Sequence, residues 1–301
     1  GFDSPEQGSH ARTLLAGLFR VWKWDNVNWR DGRVDFEASR AAIAEAGCRA
    51  LNIQYHVGFF PQESLLSLVS IVRDMQIPVS VTVHNTRQMS AGTFDELAKM
   101  GAQILVHNRK EAESLAGRHP GAVRHLLHGV LEAGGLADPR GFRGGQRAPV
   151  ISTFGFLRPH KGLLQLVRAF EMIRRVFPGA RLAGQCSMYP TADSEEYRRL
   201  VEGYVGASDL AEVVDIDFGF NDIARVIETL AKSDLIVLPY SYSDEGASGS
   251  LAIAIASRRP MLITDSPVFD DVAEMTYVAS NNEPEVLAAA MATVLANSGL
   301  Y

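Results

Sequence analysis

Basic residues are not in surplus, cysteine is nearly absent, and no long apolar run occurs. Each shortage removes a class of function. Lysine and arginine total 29 against 35 acidic residues, a formal net charge of −6. A general nucleic-acid binder neutralises phosphates with a basic excess, and this chain has none to offer. Only Cys48 and Cys186 are present, without C-x-x-C spacing. Neither a zinc site nor a disulfide framework is indicated, and a reducing compartment fits. No run reaches the length that spans a bilayer, and no secretory signal is seen, so the expected setting is cytoplasmic. Peripheral contact with the inner face of a membrane needs only a basic or apolar patch and stays compatible with this.

What is present is the composition of an ordinary globular protein, 47% apolar and 21% charged. At 301 residues the chain exceeds a comfortable single core, so about two domains are expected. Short apolar runs alternate with helix-period segments. The runs are Ala50–Tyr55, Val79–His84, Gln103–His107, Val150–Gly155, Arg181–Gly184, Val213–Ile216, Leu235–Tyr240 and Met261–Thr264. Leu163, Leu166, Val167, Phe170, Ile173 and Phe177 form one helical stripe between them. Continuous apolar strands separated by amphipathic helices predict parallel sheets covered on both faces.

From Gly129 to Pro149 the pattern gives way to glycine and proline, which reads as a linker or mobile loop. The predicted architecture is α/β, two doubly wound Rossmann-like domains facing across a cleft, over residues 1–145 and 146–301. Ligands of such sheets bind at the carboxyl ends of strands. Residues 1–8 are polar and lead into an amphipathic segment at Ser9–Arg20 with no strand before it. A first strand is therefore expected to be missing from the sequence.

Two strand-end loops carry the chemistry. In "STFGFLRPHKG", residues 152–162, Arg158, His160 and Lys161 stand between a strand and a long helix. Cations beside the free N–H groups of a helix start favour an anion, although solvated basic residues in a turn account for the loop equally well. In "YSDEGASGSLAIAIAS", residues 242–257, Glu245, Gly246, Ala247, Ser248, Gly249 and Ser250 precede a small, apolar helix. Such bare residues let a ligand approach the main chain, and the reading favoured is a phosphate or sugar site. The plainer alternative is Ser248 or Ser250 as an N-cap with Glu245 in solvent.

Several motifs are excluded. No G-x-G-x-x-G follows a strand, and no G-x-x-x-x-G-K-[ST] occurs. "GASGS" misses G-x-S-x-G because Ser250 replaces the second glycine. Asp215-Ile216-Asp217 is read as a strand end with outward acids, and no metal is assigned. His56, His84 and His107 each end a strand, a position more often structural than catalytic.

Taken in order, these segments resemble a GT-B glycosyltransferase of the retaining family 4 type, most strongly from Val150 to Val272. "FGFLRPHKGLLQLVRAFEMIRRVFPGARL" resembles that family's Gly-x-x-Arg-x-x-Lys-Gly segment with the helix and strand after it. "LAKSDLIVLPYSYSDEGASGSLAIAIASRRPMLITD" resembles its donor-binding strand, loop and helix. In the first half "LNIQYHVGFFP", "VSVTVHNT", "ILVHNRKEAESL" and "HGV" fall in the family's order.

The resemblance implies a nucleotide diphosphate sugar, UDP- or GDP-linked, as donor substrate, with no separate cofactor and no metal. It implies a glycan, lipid-linked or other hydroxyl acceptor held by the first domain, and a role in glycan or surface polysaccharide synthesis. By position, Arg158 and Lys161 would meet the diphosphate, together with Gly249 and neighbouring amides. Glu245 would hold hydroxyls of the sugar, His84 would lie near it, and Gly8 would be the remnant of a glycine loop at the diphosphate. Two departures stand out. The second acid of the family's Glu-x7-Glu pattern falls at Ile253, and the usual arginine position at Phe156. A degenerate scaffold acting as a binding subunit, or another GT-B enzyme such as a sugar-nucleotide epimerase, are the rival readings.

Overall fold

The computed structural model describes residues 27–28, 33–58, 60–131, 148–243 and 245–297. The chain divides into two compact units, Gly1–His128 with Asp244–Ala247, and Gly129–Ser243 with Ser248–Tyr301. Gly8 and the segment Ser9–Arg20 lie outside the described residues, as does most of the glycine-rich stretch.

In the first unit a short antiparallel ribbon, β1 (Val27–Asn28) and β2 (Arg33–Val34), precedes helix α1 (Phe36–Glu45). A parallel sheet follows in the order β3 (Leu51–Tyr55), β4 (Val79–Val83), β5 (Gln103–Val106) and β6 (Val123–His125). Its crossovers are α2 (Gln62–Asp74), α3 (Ala91–Lys99) and α4 (Arg109–Arg118). Ser90 caps α3 and Asn108 caps α4, each side-chain oxygen accepting an N–H of the first turn. One face of the sheet (Ile53, Tyr55, Val81, Val83, Ile104, Val106) buries against Leu65, Leu68, Val72, Phe94 and Leu97.

The opposite face corrects an expectation. β3 and β4 are not continuously apolar. Register places Asn52 beside Ser80, Ser80 beside Gln103, and Gln54 beside Thr82, so polar residues alternate with the core set as on a half-solvated sheet.

The second unit holds six parallel strands in the order β12-β11-β10-β7-β8-β9. These are β7 (Val150–Leu157), β8 (Arg181–Met188), β9 (Val214–Asp217), β10 (Leu235–Leu238), β11 (Met261–Thr264) and β12 (Tyr277–Ala279). The helices are α5 (Leu163–Ile173), α6 (Ala192–Ala207), α7 (Ile223–Leu230), α8 (Gly249–Ala256) and α9 (Pro284–Ala296). Each face of the sheet has its own core. Leu166, Val167, Phe170, Leu182 and Met291 fill one, and Val226, Leu230, Leu238, Ile253 and Phe269 the other. Burial of a side chain of this size stabilises by roughly 1.5–3 kcal/mol.

Several boundaries move from their predicted places, β8 furthest among the strands, since it continues to Met188 rather than Gly184. β7 continues to Leu157, two residues past Gly155, because its carboxyl half pairs with β8. The α5 stripe ends at Ile173, and Phe177 packs on the same core from beyond the helix.

Candidate functional site

The strand order reverses between β10 and β7, where chain direction leads outward to either side. Carboxyl ends at such a switch point leave room for a ligand. β7 delivers Gly155 and then Arg158, and the 3-10 turn Pro159–Lys161 brings Lys161 back over the sheet. That turn closes on Gly162, whose φ is +73° and where a Cβ would lie 2.0 Å from the Pro239 carbonyl oxygen. Only glycine fits there. The Ser241 N–H donates to the His160 carbonyl at 2.8 Å, which stitches the loop after β10 to the loop after β7.

The two cations are seated on aromatic rings. Lys161 Nζ stands 4.0 Å from the centroid of Tyr240, and Arg158 Cζ stands 4.8 Å from that of Tyr189. Such stacking helps to hold a cation in place. Arg158 Nε is buried with no hydrogen-bond partner among the described residues. Tyr189 in turn meets Phe156 edge-on, with centroids 5.4 Å apart. The usual arginine position, Phe156, therefore supports the ring on which Arg158 lies.

Helix α8 starts beside these groups. Ser248 is its N-cap, accepting from the Leu251 N–H at 3.2 Å and pairing with the buried Tyr240 hydroxyl at 3.0 Å. The capping alternative raised from the sequence thus holds for Ser248. The N–H groups of Gly249 and Ser250 retain no partner among the described residues. Ser250 Oγ lies against Gly155, where a Cβ would meet it at 2.9 Å. Arg158, Lys161, Ser248, Gly249 and Ser250 thus belong to one constellation: two fixed cations, a helix start and a glycine-lined main chain. It is suited to an anion. Phe154, Leu157 and Cys186 line a pocket together with Gly155, Arg158, Lys161 and Tyr240. Burial, and then Asp217, push the Cys186 thiol up to about 12.

Glu245, Gly246 and Ala247 are placed differently from the sequence expectation. They group with the first unit, where the Gly246 N–H donates to the His84 carbonyl at 3.0 Å. Gly246 also packs near Glu111, which holds the Thr86 hydroxyl at 2.6 Å and Arg87 at 3.4 Å. His84 follows β4. Its N–H donates to the Tyr55 carbonyl, and its Nε2 is 2.7 Å from Gln54 Oε1. The rings of His84, His107 and His128 stand in a row, each centroid 5.1 Å from the next. Burial, then His107, His128 and His56, hold the His84 imidazole pKa down at about 3. Burial also lowers that of His56, with Glu245 opposing.

Among the described residues no group of three or more His, Cys, Asp or Glu side chains is placed to hold a metal ion. Asp217 is engaged by the Gly219 N–H and the Asn221 amide. Ile253 is 3% exposed and lies in the α7–α8 core, so its side chain is spent on packing. Sequence reading missed Tyr189, Tyr240 and Gln54. The tyrosines were detectable only as aromatics immediately beyond strand ends, and Gln54 only as part of a polar alternation.

Comparison with known proteins bears on this geometry. Residues 148–297 match the family described as glycosyl transferases group 1. No curated protein matches the chain in sequence. Among solved structures, sucrose-phosphate synthase from Thermosynechococcus elongatus is similar with a TM-score of 0.63 at 16% identity, over 88% of this chain and 68% of that one. The α,α-trehalose 6-phosphate synthase of Burkholderia multivorans gives 0.63 at 13% identity, over 87% and 67%. HepE of Anabaena, solved in complex with UDP, gives 0.66 at 12% identity, over 87% and 72%. The chain is a GT-B-fold protein whose residues 148–297 form a glycosyl transferases group 1 domain.

Proposed function

We propose that the protein is a retaining, metal-independent glycosyltransferase that moves a hexosyl group from a UDP- or GDP-linked sugar to an acceptor hydroxyl. The observation that carries this reading is the seating of Arg158 and Lys161 on Tyr189 and Tyr240 beside the start of α8. As the sugar–phosphate bond breaks, negative charge grows on the leaving diphosphate. Fixed cations and helix N–H groups at that place bind the transition state more strongly than the ground state. They supply the charge that a metal ion supplies in other transferases. That the neighbouring HepE structure contains UDP supports a uridine nucleotide as the first donor to try. Glu245 and His84 serve the sugar itself in this reading. The acceptor is a glycan, a lipid-linked saccharide or another hydroxyl compound, and the setting is the cytoplasm or the inner face of a membrane.

Lys161→Ala is the direct test. The variant keeps its circular-dichroism spectrum and loses roughly a hundredfold or more in turnover, as for removal of one oxyanion donor. Near-normal turnover in a sugar-transfer assay would contradict the assignment. Activity unchanged by excess EDTA is expected from the same mechanism.

One observation favours a second reading, a catalytically degenerate GT-B scaffold. Ile253, at the place of the family's ribose-holding acid, is sealed in the core. Calorimetric titration with UDP-glucose and GDP-mannose separates the two, since a degenerate scaffold binds neither.

A further inference from the structure

The polar face of the first sheet ends on His84, and its hydrogen bonds run in one direction. Asn52 Nδ2 donates to Ser80 Oγ at 2.8 Å and to Thr82 Oγ1 at 3.1 Å, leaving Asn52 Oδ1 as an acceptor. Gln54 Nε2 donates to that oxygen at 2.5 Å and to Thr82 Oγ1 at 3.2 Å. With both amide hydrogens used, Gln54 turns Oε1 toward His84. An acceptor at Nε2 requires the ring proton to sit there. Nδ1 is then bare, and it has no hydrogen-bond partner among the described residues.

We propose that Gln54 is a positioning residue, which holds His84 as the neutral Nε2–H tautomer so that Nδ1 accepts a hydrogen bond from a hydroxyl of the bound sugar. This rests on the glycosyltransferase reading above. Nearby, His107 Nδ1 is 2.8 Å from the Leu126 carbonyl and His125 Nε2 is 3.1 Å from the His107 carbonyl, so each of these nitrogens donates to a main-chain acceptor. Around His84 stand His56, His107 and His128, with Glu245 acting on His56 and Glu111 beside Gly246. A neutral ring also suits the chemistry. Positive charge grows on the sugar as its bond to phosphate lengthens, and an imidazolium alongside would oppose it.

Nitrogen-15 NMR of the imidazoles, assigned with His84→Gln, tests the proposal in the intact protein. The expected result is an unprotonated Nδ1 resonance for His84 from pH 5 to 8, moved by UDP-glucose and unmoved by UDP. Gln54→Met, which keeps the length but has no acceptor, mixes the tautomers and lowers kcat about tenfold, one hydrogen bond's worth. UDP affinity stays as in the wild type. Gln54→Glu restores the tautomer but stabilises the imidazolium, so its kcat acquires an acid limb absent from the wild type. A protonated Nδ1, as the reversed amide chain would give, overturns the proposal. So does a Gln54→Met protein with an unchanged spectrum and rate. UDP-glucose that binds by calorimetry yet leaves the Nδ1 resonance still overturns this proposal alone. A wild type that binds neither UDP-glucose nor GDP-mannose removes the glycosyltransferase reading and the role of Nδ1 with it.

Discussion

At the scale of single residues, His84 shows how burial among like groups sets both chemistry and stability. Its imidazole pKa is held at about 3, first by burial and then by three other histidines. The unfolded chain binds a proton near the ordinary imidazole value of about 6.5, and the folded chain does not. Stability from this group is therefore complete above that value and falls as pH drops from about 6.5 toward 3, by up to about 5 kcal/mol. Urea titrations at pH 7 and pH 5 compare the wild type with His84→Gln. The substitution is expected to reduce the loss of stability between the two pH values, and an identical loss in both proteins would refute the account. Arg158 and Lys161 were visible in the sequence only through the family segment they resemble, since cations in a strand–helix turn are as readily solvated. The rings beneath them were not, since an aromatic after a strand end fits a core as readily as a cation.

At the scale of elements, the turn after β7 and the helix after β10 decide whether the site exists. Gly162 lets the main chain pass against the Pro239 carbonyl. Gly162→Ala must displace that oxygen or the turn, at a cost of about 3 kcal/mol, with Lys161 moved from Tyr240. A thermal melt and a UDP titration are expected to show both losses, and a variant that binds UDP normally would contradict the geometry. In α8, Ile253 occupies a core position rather than a ligand-facing one. Ile253→Glu is expected to lower stability by about 3–5 kcal/mol through an unpaired buried charge. It should not tighten nucleotide binding, and a gain in affinity would show that the helix can turn this position outward. The sequence placed Glu245 with α8 because the two are adjacent in the chain. Packing groups it with His84 instead, a long-range choice that local pattern does not encode.

At the scale of the whole molecule, two parallel α/β units were legible from the spacing of apolar runs alone. Periodicity reports burial, and in parallel sheets burial is nearly uniform along a strand. The exception was the face of β3 and β4 carrying Asn52, Gln54, Ser80 and Thr82, where register rather than composition determines who meets whom. The scarcity of cysteine, which first served only to exclude metal and disulfide sites, has a practical consequence. One thiol falls in each unit, Cys48 partly exposed in the first and Cys186 buried in the second, in the pocket that Arg158 and Lys161 also line. With its pKa at about 12, Cys186 is a thiolate in only about one molecule in ten thousand at pH 8. The protein thus carries its own chemical reporter. Iodoacetamide should modify Cys48 promptly and reach Cys186 only when the second unit opens, and a saturating nucleotide should slow that second reaction alone.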